Sequence, residues 1–220
     1  MRMNEDAKVK DYFTRSAKEF DDIYEDRGGL LTRLANRLFR KGMRQRFELT
    51  LELCGSGERS ILDIGCGAAR FTIPLAEQGM DVLGIDYSSE MIRLADRYVK
   101  ARTESGSKPL RVRHLCCDFL SDFNPEEKFD MTLAIGVLDY IKDPLPFIKK
   151  MKDVTRGLMI AAFPALYTPQ MPIRKMWLAT KDCPVYFYTT KRIAELYAAA
   201  GITDYELIPI AAAYLVKAKA

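Results

Sequence analysis

Apolar and polar positions along this chain switch between two periods. Over residues 8–26, Val9, Tyr12, Phe13, Ala17, Phe20 and Tyr24 share one helical stripe with charged residues opposite, which predicts an amphipathic helix. Gly28 and Gly29 break it, and a second helical pattern from about residue 30 to residue 54 carries Leu31, Leu34, Ala35, Leu38, Phe39, Met43 and Phe47 on its apolar side. From residue 60 the pattern becomes short apolar runs alternating with helical segments. Strands are predicted at 60–64, 80–86, 110–119, 129–136 and 157–163, with helices from Ala68 to near Gly79, over 88–102 with Ser88 or Ser89 as N-cap, and over 144–155. Such alternation implies right-handed crossovers, a mainly parallel sheet, and a ligand at the carboxyl ends of the strands. Residues 164–188 interrupt the rhythm with four prolines and many aromatics. A helix over 190–200 follows, then two strand-like runs, DYELIPI and AAYLVKA, joined too closely for a parallel crossover. They predict an antiparallel hairpin with one member at the sheet edge.

With 220 residues and 48% hydrophobic content, the chain suits one α/β domain. Its expected parts are an amino-terminal helical cap (1–56), a core (57–163), an insertion (164–189), and a closing helix and hairpin (190–220). The net charge is only +4, no apolar run nears the roughly 18 residues of a membrane span, and the start lacks a signal-type apolar region. The expectation is a soluble cytoplasmic protein, monomer or homodimer. Five cysteines without a CxxC, and one histidine, His114, leave nothing from which to build a zinc site, so no metal is expected. Residues 27–47 hold seven basic residues and no acidic one, with Arg33, Arg37, Arg40 and Arg44 along one helical stripe. That stripe reads either as a solvated helix face or as a surface for an acidic partner.

The chemistry concentrates at SILDIGCGAAR, residues 60–70, where a buried strand meets a glycine turn. A dinucleotide site wants G-x-G-x-x-G with an acid about 20 residues on. Gly65, Gly67 and Asp86 satisfy part of this, but Arg70 stands at the third glycine. Its bulk disfavours a pyrophosphate and leaves a ligand with a ribose.

LDIGCG, GIDYS, CCDF and FDMTLAIGVLDYI, in that order and spacing, resemble the motifs of class I S-adenosylmethionine-dependent methyltransferases. The resemblance covers about residues 60–163 and implies a Rossmann-like sheet of seven strands, mainly parallel, with two extra amino-terminal helices. It implies S-adenosylmethionine as cofactor and S-adenosylhomocysteine as product. Asp63, Gly65, Cys66 and Gly67, with Arg70 beside them, are expected around the methionine end. Asp86 is expected on both ribose hydroxyls, with Tyr87, Ser88 and Met91 following it along the adenine side. Cys117, Asp118 and Phe119 are expected at the adenine, and Ile135, Gly136 and Val137 beneath the sulfonium. Asp63 also reads as a turn cap and Asp118 as a solvated strand end. The family's further glycine, two residues past Gly67, is here Ala69, a mild departure.

The YF…F…Y pattern over residues 10–24 resembles the leading helix of ubiquinone-biosynthesis and magnesium-protoporphyrin O-methyltransferases, which implies a lid with Tyr12 and Tyr24 toward the cofactor; it reads equally as core-docking. Methyl transfer to a hydroxyl needs alignment, a dry pocket and a proton acceptor. Candidates for the last are Asp139, Tyr140 and Tyr188. Tyr140, Tyr167, Met171, Trp177, Tyr186 and Tyr188 are expected to line the acceptor pocket. His114 falls early in its strand and is expected to be structural. The fourth strand lacks N-P-P-Y or D-P-P-Y, so no stable nucleic-acid complex is expected and a small-molecule acceptor is favoured. An RNA or protein methyltransferase using the arginine stripe is the alternative.

Overall fold

The structure, a computed structural model, describes residues 30–57, 59–106, 109–166 and 184–220, with side chains of the first helix from Gly42 onward. The helix predicted over 8–26, with Tyr12 and Tyr24, lies outside the described residues. So do Tyr167, Met171 and Trp177 and the side chains of Arg33, Arg37 and Arg40.

The elements in chain order are α1 (Leu30–Cys54), β1 (Ser60–Ile64), α2 (Thr72–Glu77), β2 (Asp81–Asp86), α3 (Ser89–Ser105) and β3 (Val112–Cys116). They continue with β4 (Phe129–Ala134), α4 (Leu145–Asp153), β5 (Thr155–Pro164), α5 (Thr190–Ala199), β6 (Tyr205–Ile210) and β7 (Ala213–Lys219). Seven strands make one sheet in the order β3-β2-β1-β4-β5-β7-β6. β1 to β5 pair in parallel, and β7 runs antiparallel to both β5 and β6. The closing hairpin therefore has β6 on the edge.

Side-chain alternation with period two fills both faces. Ile61, Val82, Leu133, Ile160 and Leu215 join Phe71 and Leu75 around α2, while Leu62, Ile64, Ile85, Met159 and Phe163 join residues of α4 and α5. Each fully buried Ile or Leu stabilises the fold by about 1.5–3 kcal/mol. α1 docks through Phe47 on Phe71, ring centroids 5.4 Å apart, and through Gln45 Oε1, which accepts from the Ala211 amide at 3.3 Å.

Several boundaries differ from expectation, three of them with a cause visible in the structure. α2 begins at Thr72 rather than Ala68, because Gly65, Gly67 and Ala69 have φ of +70°, +52° and +64° and cannot lie in a right-handed helix. β3 stops at Cys116, since Asp118 Oδ1 accepts from the Leu120 and Ser121 amides at 2.7 and 2.9 Å and turns the chain. β5 extends from Thr155 to Pro164 because β4 and β7 pair with it on both sides.

At the amino ends of the strands, Asp130 ties three of them. Its Oδ2 accepts from Ser60 N at 2.8 Å and Ser60 Oγ at 3.0 Å, and its Oδ1 from Arg156 Nε at 2.7 Å. The Arg156 guanidinium and the Ser60 donors hold its carboxyl well below the usual range.

Candidate functional site

At the carboxyl ends of β1 and β2 the chain folds into a turn ordered by Asp86. The amides of Gly65 and Cys66 both donate to Ile85 O, at 2.8 and 3.0 Å. The Gly67 amide donates to Asp86 Oδ2 at 3.1 Å, and the Ser88 amide to Asp86 Oδ1 at 2.8 Å. One carboxylate thus joins the glycine turn to the start of α3. Ser88, fully buried, then caps α3 by accepting from the Met91 amide at 3.3 Å, an interaction worth about 1 kcal/mol.

The glycines divide the work. A Cβ on Gly65 would meet Val137 Cγ2 at 2.3 Å, so Gly65 admits the floor formed after β4, whereas a Cβ on Gly67 or Gly136 would meet nothing within 4 Å. Those two left-handed positions border open space. Ala69 shares the left-handed conformation but carries a Cβ and is buried. Its departure from glycine is strained rather than mild, at roughly 1–2 kcal/mol for a non-glycine residue. Arg70 does not crowd the helix packing, because the chain is still turning there; its guanidinium lies 5.5 Å from the Phe47 ring of α1.

Two buried carboxylates, Asp63 and Asp86, lie beside this turn on the same side of the sheet. Asp63 accepts from Thr72 Oγ1 at 2.8 Å. Burial, partly countered by that hydroxyl and reinforced by the charge on Asp86, pushes its carboxyl up to about 6. Burial likewise raises Asp86 against the pull of the two amides. Among the described residues, neither acid has a basic side chain as a hydrogen-bond partner. The arrangement would be relieved by a cation. Cys66 is buried, and desolvation and then Asp63 raise its thiol well above the ordinary value. It is a packing residue without thiolate character.

Cys116 is the register partner of Asp86, and its thiol contacts Tyr87 O at 3.8 Å. The Cys117 amide donates to Asp86 O at 3.0 Å, which sets Cys117 and Asp118 beside the β2 terminus. Asp118 is exposed and caps its own turn, with one of its oxygens committed to backbone amides. The Phe119 ring does not face the open space: it packs on Phe147 at 4.8 Å and Phe123 at 6.1 Å, inside the core.

After β4, Val137 lies against Gly65, Gly136 borders open space, Ile135 packs on the core around α2, and the Tyr140 amide donates to Val137 O at 3.0 Å. Asp139 is buried and its carbonyl accepts from the Tyr186 amide at 2.7 Å. Tyr188 departs from expectation. It is 4% exposed, its ring packs edge-on against Phe163 at 5.1 Å, and its hydroxyl donates to Leu138 O at 3.0 Å and Ile141 O at 3.2 Å. An aromatic so enclosed neither accepts a proton nor lines a pocket. Burial and then the Asp139 charge raise its phenol further above the ordinary value.

Some contacts had no signal in the sequence. Thr72, the partner of Asp63, looks like an ordinary helix-start threonine. His114 is structural, as expected, but through a device that spacing does not show: Nδ1 lies 2.7 Å from Asp96 Oδ1, clamping α3 onto β3, while His114 Cδ2 and Cys66 Sγ fill the space a Cβ on Gly84 would need. Among the described residues no cluster of His, Cys, Asp and Glu could hold a metal, and no helix is long and apolar enough to cross a membrane.

S-adenosylmethionine suits this donor set: a cationic sulfonium and ammonium for two acids without basic partners among the described residues, ribose hydroxyls for the remaining lone pairs of Asp86, and two glycines bordering the space. A family model described as a methyltransferase domain matches residues 61–157. The ubiquinone biosynthesis O-methyltransferase of Bradyrhizobium sp. (strain ORS 278) is 33% identical over 111 residues, which are 50% of this chain and 41% of that protein. The chain thus spans well under two thirds of that relative's length. Among solved structures, magnesium protoporphyrin IX methyltransferase from Synechocystis PCC 6803 with bound S-adenosylhomocysteine superposes with a TM-score of 0.71, covering 96% of this chain and 97% of that one at 19% identity. The 1,6-didemethyltoxoflavin-N1-methyltransferase of Burkholderia thailandensis gives 0.65, covering 99% and 89% at 21% identity. Residues 61–157 thus match the methyltransferase-domain family model, and the strand order with the reversed β7 gives the chain the Rossmann-like fold of the methyltransferases on which it superposes.

Proposed function

We propose that this chain transfers a methyl group from S-adenosylmethionine to a hydroxyl of a small-molecule acceptor. The observation that carries the reading is the pair of buried carboxylates, Asp63 and Asp86, set without a basic partner among the described residues, beside glycines that border open space. In this reading Asp86 holds the ribose hydroxyls by charge-assisted bonds. Tyr87, Ser88, Met91, Cys117 and Asp118 bound the adenine side, with Asp118 offering its remaining oxygen to the exocyclic amine. Asp63, Gly65, Cys66, Gly67 and Arg70 enclose the methionine end, and Ile135, Gly136 and Val137 form the floor. The bound cofactor supplies a methyl already activated on sulfur.

The chain's own residues then align the acceptor, exclude water and accept a proton. Asp139, buried in the turn after β4, is the group we assign to hold the acceptor's hydroxyl proton, with Tyr140 and Tyr186 beside it. The hydroxyl assignment draws on the ubiquinone-type relative. An RNA or protein acceptor is less favoured: Arg44, the described member of the arginine stripe, already pairs with Glu48 at 2.7 Å.

Incubating the chain with methyl-labelled S-adenosylmethionine and phenolic or catecholic small molecules tests the reading. Labelled methyl ether as product is the expected result. Label only in amines, RNA or protein, or no transfer to any fraction, contradicts it.

A further inference from the structure

Residues 184–188 run between two parts of the fold. On one side they extend the sheet beyond β5: Ala165 and Tyr188 form a parallel bridge, the Tyr188 amide donates to Pro164 O at 2.8 Å, and the Leu166 amide to Tyr188 O at 2.9 Å. On the other side they grip the turn after β4 by three carbonyls. The Tyr186 amide takes Asp139 O at 2.7 Å, and the Tyr188 hydroxyl takes Leu138 O at 3.0 Å and Ile141 O at 3.2 Å.

Leu138 and Ile141 bracket Asp139 and Tyr140, and Leu138 follows directly on the Val137 that packs over Gly65. A single phenolic proton shared between two backbone oxygens thus spans the turn, which also carries a bond from the Tyr140 amide to Val137 O at 3.0 Å. A buried carbonyl left without a donor bears its full desolvation penalty. The turn would reorganise to recover it.

We infer that Tyr188 is a positioning residue: through Leu138 and Ile141 it sets the turn that presents the cofactor floor on one side and Asp139 and Tyr140 on the other. The inference rests on the methyl-transfer reading of that turn. It also explains why an aromatic that touches no open space carries a hydroxyl at all, where phenylalanine would pack equally well against Phe163.

Tyr188→Phe keeps the ring and removes only the hydroxyl. Amide hydrogen exchange across residues 138–141 is expected to accelerate about tenfold or more in the variant, with α5 and β7 within twofold of wild type. Affinity for S-adenosylhomocysteine by calorimetry is expected to fall about fivefold. Unchanged exchange in the turn, exchange raised equally across α5 and β7, or affinity within twofold of wild type each overturns the inference, since the hydroxyl would then serve the core alone. Wild-type protein offers a second measurement that needs no variant. Bound S-adenosylhomocysteine is expected to slow exchange at residues 138–141 and 186–188 together, and protection of the first without the second overturns the coupling. Failure of the wild-type chain to bind S-adenosylhomocysteine is a different outcome: it removes the cofactor reading, and the inference falls with it.

Discussion

The two ends of the parallel strands treat a carboxylate in opposite ways. At the amino end, Asp130 spends both oxygens on Ser60 and Arg156, and its carboxyl is held below the usual range. At the carboxyl end, Asp63 and Asp86 are more deeply buried, meet only a hydroxyl and backbone amides among the described residues, and are raised. Left-handed backbone occurs at both ends, at Gly55, Gly57 and Gly79 before β1 and β2 and at Gly65, Gly67 and Gly136 after β1 and β4, but among the described residues the non-glycine one that adopts it, Ala69, lies at the carboxyl end. One end is built for stability, and the other accepts strain and unpaired charge. A fold that leaves such charge beside open space reserves it for a ligand.

The contrast breaks most visibly at Asp86. Asp86→Ala removes both the ribose acceptor and the tie to Gly67, and S-adenosylhomocysteine affinity by calorimetry is expected to fall 100-fold or more, about 2.7 kcal/mol, with the far-ultraviolet spectrum retained. Affinity within threefold of wild type would remove Asp86 from the site. Asp130→Ala is the mirror experiment. It is expected to cost about 1–2 kcal/mol in urea unfolding from lost hydrogen bonds, discounted because the ion pair with Arg156 is half-exposed, and to leave cofactor affinity unchanged. A loss of affinity larger than the loss of stability would show that the two ends are not separable.

Asp63 sharpens the comparison through pH. Its carboxyl keeps its proton to about 6 in the fold, against 3.8 as the ordinary value, so the native state binds more protons than the unfolded chain in that window. Stability of the ligand-free protein therefore falls as pH rises from about 4 to about 6 and stays lower above it. Asp63→Asn, which keeps an acceptor for Thr72, is expected to abolish that fall and to stabilise the free protein at pH 8 by on the order of 1 kcal/mol. A variant with the wild-type pH profile contradicts the assignment. The smallest effect is at Ala69. Ala69→Gly relieves the left-handed strain but frees the unfolded chain, for a net gain of about 0.5 kcal/mol in thermal unfolding. Destabilisation would mean that the Ala69 methyl contributes more by packing than it costs in strain.

What could be read from the sequence was what depends on neighbours. The period of 3.6 gave α1 its limits, the Ser88 N-cap and the acid at Asp86 follow from local spacing, and two strands with a short link can only be antiparallel. What escaped depends on distant partners. Asp130 meets Ser60 across 70 residues, and Tyr188 meets Leu138 across 50. Tyr188 belongs to an aromatic concentration that reads as pocket lining, and only its bonds to Leu138 and Ile141 separate it from Tyr186 and Tyr140. Ala69 was misread because a side chain's name does not reveal its φ. Arg70 was weighed as bulk in a helix that begins two residues later.

The central claim is that the carboxyl-end cradle binds a cationic nucleoside with a ribose and no pyrophosphate. Calorimetric titration of the chain with S-adenosylmethionine, and separately with a nicotinamide dinucleotide, tests it most directly. The account predicts one molecule of S-adenosylmethionine bound per chain and no heat from the dinucleotide. Binding of the dinucleotide with none of S-adenosylmethionine would contradict it.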